Sequence, residues 1–388
     1  MQRVEITGRV PLAPWTTMGV GGPAEAFVQV TTPGQLQSAL AHAAEHGRAV
    51  ELLGEGSNVV VSDHGLAGLT IALRGGGIAH AEPDAGRVTV QVDGGMAWDE
   101  LVAWAVARGL AGVELLSGIP GTVGAAPVQN IAAYGQALAD VVTSVQAVER
   151  SSGNQVTLDA ASCAFGYRDS RFKRDWAGRY VITSVTFSLS RQARTPLSYR
   201  DLELHFAEHS ANPDSLADRR SAVLAVRGAK SMVHDPGDPL SRSCGSFFVS
   251  PWLPREEAIS LVDGVRGEGA GERLFAWYSG SEAEDVKVPA AMVLLAAGFR
   301  NGDRWGDVGL SPRHVLAIVN HGGATAQLVS DVAGHVAHTV YERLGVTLHA
   351  EPRFLGAFER FDPQAFGEST PLTSGAAGTP AWAADTTR

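Results

Sequence analysis

The sequence predicts an α+β protein of two or three domains, and three observations carry that expectation. At 388 residues the chain exceeds what one ordinary core supports, since domains run to about 100–200 residues. With 45% apolar and 19% charged residues it can bury a sizeable core. Its apolar pattern switches repeatedly between the two-residue repeat of strands and the 3.6-residue repeat of helices.

The elements follow in order. A strand AFVQV at 26–30, an amphipathic helix PGQLQSALAHAAEHG at 33–47, AVELLG at 49–54, then VVVSD and LTIAL make a β-α-β beginning. A second block holds a strand at 88–95 and a helix at 97–109, with Gly109 placed to stop it. Residues 117–135, SGIPGTVGAAPVQNIAAYG, keep neither period throughout, and a long irregular stretch inside a domain is usually functional. DVVTSVQAVER and RYVITSVTFSLS read as strands flanking CAFGYRDSRFK, which is too polar at its centre to be one. From about 212 a separate α+β texture begins. It has a helix ending in AVRGAK, helices near 254–266 and 289–298, a strand at 314–320, a helix at 324–345 stopped by Gly345, and a last strand VTLHAEPRFLG. Residues 361–388 are Ser, Thr, Gly, Ala and Pro with scattered charge, which cannot repay the entropy of ordering and read as a disordered tail.

Charge and cysteine content narrow the function classes. A formal net charge of −10 disfavours a nucleic acid or an anionic membrane surface as partner. No window reaches the roughly 18 apolar residues that cross a bilayer. Two cysteines and a start without the basic and apolar regions of a secretory signal lead us to expect a cytoplasmic protein. No obligate protein partner is inferred.

Forty-five glycines are the compositional anomaly, and they fall in clusters. Gly19, Gly21 and Ala24 match the letters of a dinucleotide fingerprint, but a strand follows them where a helix is required. GEGSNV at 54–59 follows a strand, yet Val59 replaces the final glycine and VVV continues as strand. That loop is either an ordinary tight turn or a nest of backbone N–H groups for an anion. IPGTVG at 119–124 offers a second nest, and two nests suit an extended dinucleotide better than a mononucleotide. No G-x-x-x-x-G-K-[ST] is present, which disfavours a P-loop nucleotidase.

Six strings in order, WTTMGVGGPAEAFV (15–28), LLGEGSNVVVSD (52–63), SGIPGTVGAAPVQNIAAYG (117–135), FGYRDSRFK (165–173), CGSFFVSP (244–251) and AEPRFLG (350–356), resemble the UDP-N-acetylenolpyruvoylglucosamine reductase family. The likeness spans roughly residues 10–358. It implies a two-subdomain FAD-binding domain of the vanillyl-alcohol oxidase type and a C-terminal α+β substrate-binding domain. The expected boundaries are 1–75 and 76–211 for the FAD subdomains, 212–348 for the substrate domain, and 349–360 for a strand carrying Glu351. The cofactors implied are FAD and NADPH, and no metal. The resemblance gives FAD to Gly54, Glu55, Gly56, Ser57 and Asn58 with Ile119, Pro120, Gly121, Thr122 and Gly124. It gives the substrate, UDP-N-acetylglucosamine enolpyruvate, to Lys230 and to Tyr199, the latter on a loop that closes over it; Tyr134 is a further expected substrate contact, and Arg353 is either another cation for this anionic ligand or the partner of a nearby carboxylate.

The implied reaction delivers hydride to a terminal methylene carbon and a proton to its neighbour. Read from the residues alone, Ser246 is a turn serine, Arg168 a solvated arginine and Glu351 a strand-edge charge. The resemblance makes Ser246 the proton donor, Arg168 the cation facing the developing enediolate and Glu351 its acid partner. A guanidinium fork suits that charge better than the point charge of a lysine. Val249, Ser250 and His314 depart from the family pattern, which puts substrate affinity in doubt more than reaction type. The alternatives are an FAD oxidase of an alcohol or sugar in the same superfamily, and a non-catalytic UDP-sugar binding protein. His321, His335 and His338 read as incidental because no carboxylate constellation accompanies them. Cys244 reads as a packing residue.

Overall fold

A computed structural model describes residues 2–84, 86–192, 195–197, 199–279 and 283–359; the tail expected at 361–388 lies outside the described residues. The chain forms two compact units: residues 1–15, 23–57 and 65–235, and residues 16–22, 58–64 and 236–388.

The first unit is built on two sheets. One has four strands in the order Thr7–Pro11, Pro23–Val30, Leu66–Leu73, Val50–Leu53, antiparallel at its first pairing and parallel at the other two. The helix Pro33–Glu45 covers it, burying Leu36, Ala39, Leu40 and Ala43 with Val28, Val30, Leu69 and Ile71. That helix starts where the sequence dictates: the extended Thr32 accepts the Gln35 N–H on its side chain, and Pro33 sits where no amide donor is needed.

The other sheet is antiparallel, in the order Gln155–Asp159, Val142–Glu149, Tyr180–Ser190, Arg87–Asp93, Ile78–Asp84. The helix Trp98–Ala107 buries Trp98, Leu101, Val102 and Ala105 among Val88, Val90, Val92, Val185 and Phe187. Gly109, at φ +68, ends it as expected.

Two further helices, Arg200–Glu208 and Leu216–Ala229, belong to this unit, so it runs to residue 235 rather than to the change of texture near 212. A buried contact explains why. Arg219 and Glu114, 5% and 0% exposed, lie 3.4 Å apart, and Leu202, Ala222 and Val223 cluster with Leu115.

In the second unit the long helix Ala326–Leu344 buries Val329, Val332, Ala333, Val336 and Val340 in a core shared with Val308, Leu310 and Ile318. Thr325 caps its start by accepting the Leu328 N–H. The Asp63 carboxylate accepts two more first-turn amides, from Ala326 and Gln327, and Gly345 at φ +67 closes the far end. The strand expected at 314–320 is only Ile318–Asn320, because Ser311 and His314 engage Ala317 in a turn. The strand expected at 346–356 is only Arg353–Leu355, and it pairs in parallel with Val59–Val61.

Candidate active site

Two glycine loops meet in the first unit. After the strand Val50–Leu53 the chain turns through Gly56 at φ +67. The Ser57 hydroxyl donates to the Pro120 carbonyl at 3.0 Å, and the Glu55 carboxylate accepts the Gly121 N–H at 2.7 Å. Gly121 sits at φ +132, and a Cβ built on it would lie 3.3 Å from the Ser57 hydroxyl. A Cβ on Gly54 would lie 3.4 Å from the Thr122 hydroxyl, so the loops touch along their length.

Gly124 ties the second loop to the sheet: its N–H donates to the Gly94 carbonyl at 2.8 Å, and a Cβ there would come 3.0 Å from the carbonyls of Gly94 and Ile182. The N–H groups of Glu55, Gly56, Ser57, Ile119 and Thr122 reach no protein acceptor among the described residues. Amide donors lining touching loops are what a diphosphate requires, so these residues fit such a ligand. Arg74 stands close to Glu55. It donates to the carbonyls of Leu53 and Leu73 and lies 5.2 Å from the Trp15 ring centre. Burial lowers its pKa, and the Glu55 charge opposes that.

Arg168 lies beyond these loops in the same unit. Gly166 and Asp169 exchange backbone hydrogen bonds, which forces Arg168 to φ +52. The turn is bolted to the strip after the second glycine loop: Asn130 donates to the Gly166 carbonyl at 2.8 Å, Ser170 to Val128 at 2.7 Å, and the Arg168 guanidinium to Ala132 at 3.1 Å. Lys173 donates to the Arg168 carbonyl at 2.9 Å.

On that strip Tyr134, itself at φ +51, meets Tyr199 edge-on at 5.4 Å between ring centres. Burial raises the Tyr134 pKa; Arg227 opposes this, while Asp201 and Tyr199 add to it. Arg227 donates to the carbonyls of Gly118 and Met232, and its Nε is buried without a partner. Burial holds its pKa down, Arg168 adds to that, and Tyr134 and Asp99 oppose it. Asp99 takes the Gly118 N–H at 2.7 Å and a two-pronged contact from Arg220 at 2.6 and 2.7 Å. Lys230 pairs with Asp201 at 2.5 Å. The first unit therefore gathers Arg168, Tyr134, Tyr199 and Lys230 into one network.

The second unit holds the other predicted residues. Residues 247–249 run antiparallel to 349–351: Glu351 N–H donates to the Phe247 carbonyl at 2.8 Å and Val249 N–H to His349 at 2.9 Å. The Asn58 amide donates to the Glu351 carbonyl at 3.2 Å, and Arg353 N–H to the Asn58 carbonyl at 3.0 Å. Asn58, Glu351, Arg353 and the segment carrying Ser246 are thereby brought together.

Ser246 follows Gly245, which turns at φ +72, and precedes the fully buried Phe247 and Phe248. The residue is partly buried, and its hydroxyl makes no hydrogen bond with the described residues. Cys244 is 8% exposed, and burial pushes its thiol to about 12, which makes it a packing residue. Ser250 accepts the Ala290 N–H at 3.3 Å, the first amide of the helix Ala290–Ala296. Arg353 is exposed.

Sequence reasoning passed over Arg74, Asp99 and Arg227. A single arginine or aspartate carries no pattern, and only their contacts with or beside the loops mark these three.

A profile described as an FAD binding domain matches residues 24–159, and one described as the UDP-N-acetylenolpyruvoylglucosamine reductase C-terminal domain matches residues 236–355. The chain is 41% identical over 349 residues to the UDP-N-acetylenolpyruvoylglucosamine reductase of Thermobifida fusca, covering 89% of this chain and 97% of that one. It is 39% identical over 351 residues to the protein of the same name from Streptomyces coelicolor, covering 89% of each. Among solved structures, UDP-N-acetylenolpyruvylglucosamine reductase from Thermus caldophilus aligns with a TM-score of 0.58 at 25% identity, over 92% of this chain and all of that one.

Proposed function

The chain belongs to the UDP-N-acetylenolpyruvoylglucosamine reductase family, and we propose that Arg168, Ser246 and Glu351 carry its chemistry. Its fold joins an FAD-binding domain of the vanillyl-alcohol oxidase type to the family's C-terminal domain. It is an FAD-containing oxidoreductase that uses NADPH to reduce UDP-N-acetylglucosamine enolpyruvate to UDP-N-acetylmuramate. The oxidase and non-catalytic alternatives are not favoured by relatives of this name that cover nearly nine-tenths of the chain.

FAD, when bound, would supply the hydride that reduces the substrate. The unclaimed amides of Glu55, Gly56, Ser57, Ile119 and Thr122 would hold its diphosphate, with Gly54, Asn58, Pro120, Gly121 and Gly124 shaping the two loops. As charge develops on the substrate carboxylate, the Arg168 guanidinium stabilises it from a fixed position, because its turn is bonded to Val128, Asn130 and Ala132. Glu351 orients the developing enol. Ser246 gives its hydroxyl proton to the second carbon and, being only partly buried, takes a proton back from water. Lys230, Tyr134, Tyr199 and Arg353 bind the UDP-sugar, and Lys230 exchanges Asp201 for the substrate diphosphate.

The reading is supported above all by the Glu351 backbone, which within the second unit bonds both to Asn58 and to Phe247, the residue after Ser246. We place the reaction in the cytoplasm, where it feeds peptidoglycan synthesis and hence cell shape and division. Two buried free cysteines support a reducing compartment, and among the described residues no helix is long and apolar enough to cross a membrane.

The test is Ser246→Ala. NADPH should still bleach its flavin at the wild-type rate, while substrate reduction falls about 10²- to 10⁴-fold. Substrate reduction at the wild-type rate would remove Ser246 from the reaction.

A further inference from the structure

The helix Pro33–Glu45 ends in His-Ala-Ala-Glu-His, residues 42–46. Positions i, i+3 and i+4 share a helical face, so this spacing aligns His42, Glu45 and His46. One ligand atom from each lies within 4.8 Å of the other two. The two imidazole rings are 4.1 Å apart, and Nδ1 of His46 lies 2.9 Å from the His42 carbonyl oxygen. A carbonyl only accepts, so that contact places the hydrogen on Nδ1 and leaves Nε2 with its lone pair. Metal-binding imidazoles are commonly oriented in this way. The helix C-terminus adds a partial negative charge that favours a cation.

We infer that His42, Glu45 and His46 form a surface site for a divalent transition cation of the zinc, nickel or copper class. Two imidazole nitrogens and one carboxylate oxygen suit these ions, whereas magnesium and calcium take oxygen ligands. Around a zinc ion with bonds of about 2.1 Å the ligand atoms stand about 3.4 Å apart. Glu45 is exposed, so rotation of its side chain closes that gap while His46 keeps its contact to the His42 carbonyl, and a position is left for water. The site shares no residue with those assigned to FAD, substrate or proton transfer.

A second copy of the spacing serves as an internal control. His205, Glu208 and His209 end the helix Arg200–Glu208; there the rings stack at 4.2 Å, and His209 Nδ1 lies 2.8 Å from the His205 carbonyl. Those three residues do not form such a ligand group among the described residues.

Calorimetric titration of Zn²⁺ into the untagged, FAD-loaded protein tests the inference, with flavin absorbance and the thermal midpoint confirming that each variant is folded. We expect one saturable site, weakened about tenfold or more by His42→Ala and by His46→Ala and unchanged by His209→Ala. The inference is overturned if no saturable site is found, if His46→Ala binds as the wild type does, or if the loss follows His209→Ala instead.

Discussion

At the scale of single residues, the glycine loops show why side-chain chemistry alone does not make this site. Gly121 holds φ +132 while its N–H donates to Glu55 and its α-carbon faces Ser57. An alanine there is strained by about 1–3 kcal/mol, and relief moves the amides that line the loop. Gly121→Ala should therefore weaken FAD binding about tenfold to a hundredfold, measured as the dissociation constant of the flavin. Gly109→Ala is the control. Its φ of +68 is also strained, but nothing lies within 4 Å of the added carbon, so it should cost stability and leave flavin affinity intact. Ser250 shows another residue-scale lesson: a departure from the family pattern has a local task, accepting the first amide of the helix Ala290–Ala296.

At the scale of elements, buried polar contacts fix which helix belongs where. Arg219, on the helix Leu216–Ala229, donates to the carbonyls of Pro213 and Thr195 and pairs with the fully buried Glu114. Arg219→Leu leaves that carboxylate uncompensated and should cost about 3–5 kcal/mol in chemical denaturation, with part regained in the Glu114→Gln/Arg219→Leu double variant.

The helix Ala326–Leu344 carries a pH dependence. His335 packs edge-on against Trp305 at 5.4 Å and Phe299 at 6.1 Å. Burial lowers its pKa, His338 and Arg343 add to that, and Glu342 opposes it. The unfolded chain then binds the proton more readily, so this contribution to stability is complete above about pH 6.5 and is lost as pH falls below it. The drop in thermal midpoint between about pH 8 and pH 5.5 should be smaller in His335→Phe than in the wild type. An equal drop in both would contradict this.

Elements with a clean period were legible in the sequence: the helices closed by Gly109 and Gly345, and the strands over 88–95 and 179–190. Ile78–Asp84 and Gln155–Asp159 were not. Each is an edge strand with a single neighbour, so His80, Glu82 and Gln155 interrupt the alternation a central strand must keep. The short strands of the second unit were over-read, since apolar runs such as HVLAIVN are buried without a ladder along most of their length. Of the candidate site, the glycine loops were legible in the residues themselves and Ser246 and Glu351 only through the family resemblance, whereas Arg74 and Arg227 became visible only through their contacts in the fold.

At the scale of the whole molecule, the order of the chain does not follow the order of its units. Residues 58–64 belong to the second unit although strands of the first flank them, because Val59–Val61 pairs with Arg353–Leu355 almost three hundred residues later. Nothing in the run VVV declares that partner. Against a formal net charge of −10, the first unit holds Arg168 and Arg227 close enough for their charges to act on each other, and the proposed binding of an anionic UDP-sugar needs such a local excess of positive charge. The most direct test is spectroscopic and uses the purified full chain without oxygen. Its flavin absorbance should bleach on adding NADPH and return on adding UDP-N-acetylglucosamine enolpyruvate. A colourless protein, a flavin that NADPH leaves oxidised, or a bleached flavin that the substrate does not restore would contradict the account.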